Sequence, residues 1–317
     1  MSVDLLRPIL PRYGLPSNTP LTLLNRSENE TWRAGESLIL RLHRKGYHTK
    51  AEIASELHWL TALQGVPGLR TVRPVPDREG TLVNRAGDRF VVAFAPIAGA
   101  ELQVTDDLGR WFGPLGEVTA RLHAQSRQWT PPPGFTRKRW DAETILGPTP
   151  HWGHWWQAEG LTAADRPLLA RAAEKLTATL NAYGTGPDTF GLIHADLRLA
   201  NLMRDDVGLW AIDFDDCGFG WWIYDLAAAL SFYETDPRVP ALIAAWCAGH
   251  AQAGTLTRAD RAMIPAMILL RRLLLGAWLA TRADSDTATA LGGPAFTAGT
   301  LTLAEAYLTD GLAIFRA

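Results

Sequence analysis

Residues 191–216, GLIHADLRLANLMRDDVGLWAIDFDD, decide how the rest of the chain is read. One histidine, one asparagine and six aspartates share this stretch with the apolar runs Gly191-Leu192-Ile193 and Leu209-Trp210-Ala211-Ile212. Carboxylates set against strand-like apolar runs are costly unless something binds them. Within the stretch His194, Asp196 and Asn201 have the spacing H-x-D-x-x-x-x-N. Asp213 and Asp215 follow the apolar run GLWAI, the first of them twelve residues past the asparagine.

The bulk numbers narrow the classes of protein in which such a stretch can sit. The chain has 317 residues, enough for one large domain or two ordinary ones, with 47% hydrophobic and 20% charged residues, as in a soluble globular protein. A net charge of −2 predicts neither a nucleic-acid nor a membrane footprint. Two cysteines, Cys217 and Cys247, cannot build a disulfide framework and fit a reducing, cytoplasmic setting. The N-terminus lacks the basic start and apolar core of a signal peptide. The longest apolar stretch, 262–280, is interrupted by Arg271 and Arg272, so it reads as a buried amphipathic helix rather than a membrane span.

Outward from the central stretch, the texture of the chain changes once. Residues 1–16 read as a short helix and turn. Leu21 to His43 read as paired strands with a polar hairpin at Ala34-Gly35-Glu36-Ser37. Ile53, Leu57, Leu60 and Leu63 have helical spacing within 48–65, and TLVNRAG and DRFVVAFAPIAG read as two more strands. A Pro-Gly connector at 96–99 marks the boundary, giving domains 1–97 and 98–317. Beyond it, helices are predicted over 106–129, around 162–182 and throughout the region after residue 216, with a Pro-, Trp- and His-rich segment at 131–156.

A strand-rich part, a connector, a helical part and then H-x-D-x-x-x-x-N followed by a strand-borne aspartate is the order of a protein-kinase-like phosphotransferase. The blocks LILRLHRKGYHTKAEIASELHWLTAL, LGEVTARLHAQS, LIHADLRLANLM, IDFDDCGFG and YDLAAAL resemble, in order, those of the aminoglycoside phosphotransferase / choline kinase superfamily, particularly its homoserine-kinase-like branch. The resemblance implies an α+β, bilobal protein-kinase-like fold with a small antiparallel-sheet lobe containing one helix and a larger, mainly helical C-terminal lobe. It implies an ATP- and Mg2+-dependent kinase acting on a small-molecule hydroxyl, with no nucleic-acid or membrane partner; oligomeric state is left open.

The same resemblance distributes roles. Asp196 orients or deprotonates the acceptor hydroxyl, His194 braces the loop, and Arg198 takes the place of the catalytic-loop lysine that reaches the transferring phosphate. Asn201 and Asp213 offer oxygens to Mg2+, and Asp215 could share it. Arg41 stands where such enzymes place the lysine that grips the phosphates, with Glu56 as its helix partner; an always-charged fork can serve the same electrostatic purpose. The loop 25–33 contains no glycine, so Ser27, Glu28 and Asn29 would turn over the phosphates without a G-x-G-x-x-G. Ala95 and Ile97, entering the connector, complete the nucleotide-contacting set.

The same residues admit rival readings. Asp213 and Asp215 also spell D-x-D, as in haloacid-dehalogenase-type phosphatases, but those carry the motif near the N-terminus. There is no Gly-Lys dipeptide for a Walker A loop and no G-x-S-x-G for a hydrolase elbow. Asp225 reads as a brace for the catalytic loop, and Asp205, Asp206 and Asp216 as solvated turn residues. His151 and His154 lack the further ligands of a zinc site; His43, His48 and His58 read as surface or packing residues. Trp152, Trp155 and Trp156, at i, i+3 and i+4, read as core first and as an acceptor-pocket wall second. Two alternatives to a small-molecule kinase stay open: a stress-response-type Ser/Thr protein kinase, and a nucleotide-binding pseudokinase acting as sensor or scaffold.

Overall fold

The alternation in the first hundred residues is realised as an antiparallel sheet. In the computed structural model, which describes residues 2–26, 29–283 and 286–316, helix α1 (Ser2–Leu6) precedes β1 (Leu21–Arg26), β2 (Glu30–Ala34) and β3 (Leu38–Leu42). The hairpin at 34–37 sets the β2–β3 register, with Ala34 opposite Leu38 and Thr31 opposite Arg41. Strands β4 (Asn84–Ala86) and β5 (Arg89–Phe94) complete a five-stranded sheet in the order β1-β2-β3-β5-β4. Leu38, Leu40 and Leu42 share one face of β3 and pack with Trp32, Val91, Leu6 and Leu10. Because side chains alternate across a strand, Arg41 stands on the other face.

Helix α2 (Lys50–Leu63) begins where Thr49 and Glu52 cap each other reciprocally, Glu52 N–H donating to Thr49 Oγ1 and Thr49 N–H to Glu52 Oε2. The four residues expected at helical spacing, Ile53, Leu57, Leu60 and Leu63, are all fully buried.

The chain forms two compact units, each discontinuous in sequence. The first comprises Met1–Ala100, Trp129–Arg137 and Trp210–Asp215; the second comprises Glu101–Gln128, Lys138–Leu209 and Asp216–Ala317. Within the first unit Thr136 N–H donates to Ser55 Oγ (2.9 Å) and Arg137 Nη1 to the carbonyl of Glu52 (3.0 Å). Ala211 N–H donates to the carbonyl of Arg70, and Phe214 packs edge-on against Trp59 at 5.4 Å. The stretch 191–216 is thereby divided, its H-x-D-x-x-x-x-N half in the second unit and its D-x-D half in the first.

Apart from β6 (Ala100–Glu101), which straddles the passage between the units, the next elements are α3 (Leu108–Gln128), β7 (Arg139–Trp140), α4 (Ala142–Leu146), α5 (Arg166–Tyr183), β8 (Phe190–Ile193), β9 (Leu202–Arg204) and β10 (Leu209–Ala211). Then come β11 (Gly218–Trp221), α6 (Tyr224–Ala229), α7 (Val239–His250), α8 (Arg258–Thr281), α9 (Asp286–Leu291) and α10 (Gly293–Thr309). Strand β11 corrects the expectation that helices fill everything after 216. It pairs antiparallel with β8 and parallel with β7. In its glycine-rich GFGW, a Cβ on Gly218 would come within 2.5 Å of the Lys138 carbonyl oxygen. The glycine is there to let the strands close.

Helix α8 is long and apolar enough to cross a membrane by length and composition, but 89% of that window is buried inside the protein, as the interrupted run predicts. The tryptophan stripe is not helical: Trp155–Gln157 form a single 3₁₀ turn, and Gly153 holds φ 101° just before it. Trp152 is buried against Trp140, while Trp156 is exposed and stacked on His154.

Candidate active site

The H-x-D-x-x-x-x-N loop is set by a carboxylate behind it. Leaving β8, the chain enters His194, which is fully buried, and then Ala195, whose φ is 67°. Asp225, at the start of α6, accepts from the backbone N–H of His194 (3.2 Å) and of Ala195 (2.7 Å). Its Oδ2 also meets His123 Nε2 of α3 at 2.9 Å. Asp225 is thus the brace that the resemblance implied, and His123 is a second-rank brace that sequence reading left without a role.

So held, the loop presents Asp196. Asn201 Nδ2 donates to both the backbone carbonyl (2.8 Å) and Oδ2 (2.7 Å) of Asp196. Arg198 Nε approaches the same Oδ2 at 3.3 Å, and Arg271 of α8 donates to Oδ1. Burial pushes the Asp196 carboxyl up, but the Arg271 and Arg198 guanidinium groups more than offset it and hold the group below the ordinary carboxylate range. Both amide hydrogens of Asn201 are committed to Asp196, so Oδ1 is the atom it can offer to a cation. His194 Nδ1 lies 3.3 Å from the N–H of Asp196, a bracing contact.

Sequence reading missed Arg271, although a signal was present. A charge in the middle of a long, buried, apolar helix needs a partner to be tolerable there, and the loop aspartate is that partner.

In the first unit, Arg41 is buried and forks. Nη2 donates to Glu56 Oε2 at 2.6 Å and Nη1 to Asp213 Oδ1 at 3.1 Å. Burial alone would lower the Arg41 pKa, but Glu56, Asp215 and Asp213 together raise it, so the cation is fixed. The Asp213 side chain is 40% exposed, and its backbone takes φ 58°. Arg41, Glu56 and Asp213, three residues named from spacing and resemblance, meet in one unit.

Asn29 and Asp215, expected to reach a nucleotide and a metal, direct their side chains at each other. Asn29 Nδ2 donates to Asp215 Oδ2 at 2.8 Å, and Asn29 Oδ1 accepts from Arg44 N–H at 2.9 Å. The buried imidazoles of His43 and His48 lie 3.6 and 3.5 Å from the same carboxylate, and Arg137 donates to the Asp215 carbonyl. Burial pushes the Asp215 carboxyl up, yet Arg41 and the two histidines hold it well below its usual range. Of the three histidines expected at the surface or in packing, His43 and His48 are buried and packed around the Asp215 carboxylate, and His58 is exposed. Asp216 is likewise buried, 3.4 Å from Lys138 Nζ, not a solvated turn residue. Asp205 does cap a turn, accepting from Val207 and Gly208, and Asp206 is exposed.

Ala95 and Ile97 are half-buried beyond β5, and Ala95 N–H donates to the carbonyl of Arg73. Ser27 and Glu28 lie outside the described residues. His151 Nε2 faces the Arg139 carbonyl at 2.9 Å. Among the described residues no group of three or more His, Cys, Asp or Glu could by itself hold a metal ion. Each unit offers a hard oxygen donor of the kind Mg2+ takes together with phosphate: the Asn201 amide in the second and the half-exposed Asp213 carboxylate in the first.

Comparison with known proteins gives these residues a context. A family model described as "Phosphotransferase enzyme family" matches residues 21–260. The chain is 44% identical to a microcompartment-associated aminopropanol kinase of known structure, with a TM-score of 0.89, covering 98% of this chain and 99% of that one. It is 24% identical over 294 residues to the amicoumacin kinase of Bacillus subtilis (strain 168), covering 87% of this chain and 84% of the relative. An amicoumacin kinase solved with AMP-PNP and Ca2+ shares the fold at 22% identity and a TM-score of 0.74, over 93% of this chain and 89% of that one.

Proposed function

Because the chain belongs to the phosphotransferase enzyme family, we propose that it moves the γ-phosphoryl group of ATP to the hydroxyl of a small amino alcohol, with Mg2+ as the divalent ion. The observation that carries this reading is the setting of Asp196. It is an ionised carboxylate fixed at both oxygens, beside an asparagine whose own oxygen is left for a cation.

Asp196 takes the hydrogen bond of the acceptor hydroxyl and aims its oxygen at phosphorus. The new O–P bond forms as the bond from phosphorus to the departing ADP oxygen breaks, and the hydroxyl proton passes to Asp196. Transfer runs through a loose transition state, so positioning and charge neutralisation carry most of the work. Asn201 Oδ1 in the second unit and the Asp213 carboxylate in the first are the oxygen donors that would suit the metal, which would neutralise charge on the phosphate oxygens when bound. Arg41 and Arg198 add fixed positive charge toward phosphate oxygens. Asn29 and Asp215 hold the first unit together instead of touching ATP or metal.

The amino-alcohol acceptor is supported by the 44% identity to an aminopropanol kinase. The test is release of ADP, with 31P NMR of the product, across aminopropanol, ethanolamine, choline, homoserine, an aminoglycoside, a sugar and a protein substrate. The expected result is an O-phosphorylated amino alcohol with kcat/KM at least about tenfold above the other classes, roughly 1.4 kcal/mol in transition-state binding. Asp196→Asn is expected to lower kcat by about 10²-fold or more. Turnover of only the aminoglycoside, sugar or protein would overturn the acceptor assignment.

A further inference from the structure

Arg271 and Arg272 stand side by side in α8, a long and largely buried apolar helix, and their partners differ. Arg272 donates Nη1 to the buried Glu234, Nε to Thr300 Oγ1 (3.0 Å) and Nη2 to the carbonyl of Phe296 (2.8 Å). Those contacts tie α8 to α10 and to the segment after α6, away from the catalytic loop. Arg271, only 1% exposed, donates Nε to Ser231 Oγ (2.9 Å) and holds Nη1 at 3.4 Å from both Tyr224 Oη and the Ala195 carbonyl. Its Nη2 donates to Asp196 Oδ1.

We propose that Arg271 is a positioning residue for phosphoryl transfer: anchored by Ser231 and Tyr224, its guanidinium fixes the rotamer of Asp196 and the backbone that carries it. The proposal rests on the reading of Asp196 as the acceptor-facing carboxylate. Three features of the geometry support it. One rigid guanidinium grips both the carbonyl of Ala195 and the side chain of the next residue, so the loop backbone and the carboxylate are set together. Arg271 takes Oδ1 while Asn201 takes Oδ2, so neither torsion of the Asp196 side chain can turn without breaking a charge-assisted or amide hydrogen bond. A carboxylate has about four lone-pair positions. Arg271, Asn201 and Arg198 occupy three, which leaves one for the acceptor hydroxyl. That is preorganisation, and displacing a reacting group by about 1 Å can cost on the order of 10²-fold in rate. A lysine in place of Arg271 could reach Oδ1 but could not hold Ser231, Ala195 and Asp196 at once as the guanidinium does.

The test compares Arg271→Gln, Arg271→Lys and Arg272→Lys in the full chain, with ATP, Mg2+ and the best acceptor, alongside Asp196→Asn. Arg271→Gln is expected to lower kcat at least about tenfold while both KM values stay within about twofold, and Arg271→Lys to recover part of the loss. Arg272→Lys is expected to lower the unfolding temperature and leave kcat within about twofold. If Arg271 acts through Asp196, the Asp196→Asn/Arg271→Gln double variant is no slower than Asp196→Asn alone. A folded Arg271→Gln that keeps kcat within about twofold, or that raises only the acceptor KM, overturns the proposal. Should Arg271→Gln fail to fold, the same kcat and KM criteria are read on Arg271→Lys. Wild-type turnover by Asp196→Asn would instead overturn the underlying reading of Asp196.

Discussion

Ala195 and Asp213 both hold left-handed backbone angles, φ 67° and 58°. Such angles persist in non-glycine residues only where the surroundings over-determine them. For Ala195 those surroundings are explicit: its N–H is held by Asp225 and its carbonyl faces Arg271. Aspartate tolerates this conformation better than most residues, which suits position 213. The strain at 195 makes a graded prediction. Ala195→Gly relieves it but frees the unfolded chain, so stability should stay within about 1 kcal/mol of the parent. A β-branched Val at the same angle should lose about 2 kcal/mol or more and slow turnover as the loop shifts. Urea unfolding of the two variants checks this, and equal stability would refute it. Arginine at position 41, where the resemblance leads one to look for lysine, also has a reason at this scale. It reaches Glu56 and Asp213 at once through a planar fork, which a single ammonium does less well. Spacing singled out Asp196, Asn201 and Asp213 in the sequence, and the structure joins Asn201 to Asp196 and Asp213 to Arg41. Nothing in spacing reveals a backbone angle or the direction of Arg271.

At the scale of elements, legibility followed burial pattern. Helix α2 was readable because four apolar residues recur on one face; its start is fixed by the Thr49–Glu52 capping pair. Strand β11 was not, because its glycines serve a close approach that leaves no apolar signature. The same holds for α3 and α7, which meet backbone to backbone: a Cβ on Gly249 would lie 1.8 Å from the Gly113 carbonyl oxygen, and one on Gly116 would lie 2.0 Å from that of Trp246. Neither neighbour can yield as a flexible side chain could. Gly249→Ala should therefore force the helices apart and cost at least about 3 kcal/mol, the upper range for overpacking. Since α3 carries His123 to Asp225, the loss should extend to kcat. Thermal unfolding together with turnover at low temperature measures both, and a Gly249→Ala variant with an unchanged melting temperature would refute the close-packing account.

For the whole molecule, the order of strand-rich part, connector, helical part and loop motif was legible because each has a coarse signature. That 191–216 would be shared between two units was not, since adjacency in sequence carries no sign of which core a segment joins. Acid stability depends on a property both units have. Each keeps a histidine buried and neutral: burial, and then Arg41, push His43 down to about 3, and burial, with His123, pushes His250 down to about 3. An unfolded imidazole titrates near 6.5. Above that pH neither state binds the proton and the histidines cost nothing. Below it the unfolded chain gains a proton that the folded chain refuses, so stability falls as pH drops from about 6.5 toward 3. The limiting slope is about 1.4 kcal/mol per pH unit for each histidine. The lowered carboxylates Asp196 and Asp215 add their loss only below about pH 4, where unfolded carboxylates begin to protonate. Between pH 6 and 5 the histidine contribution can therefore be read by itself. His250→Asn should flatten the dependence of unfolding free energy on pH there by about 1 kcal/mol per unit. Urea unfolding at pH 7, 6 and 5 and constant ionic strength gives the slopes, and an unaltered slope in His250→Asn would mean that the imidazole is protonated in the folded chain after all.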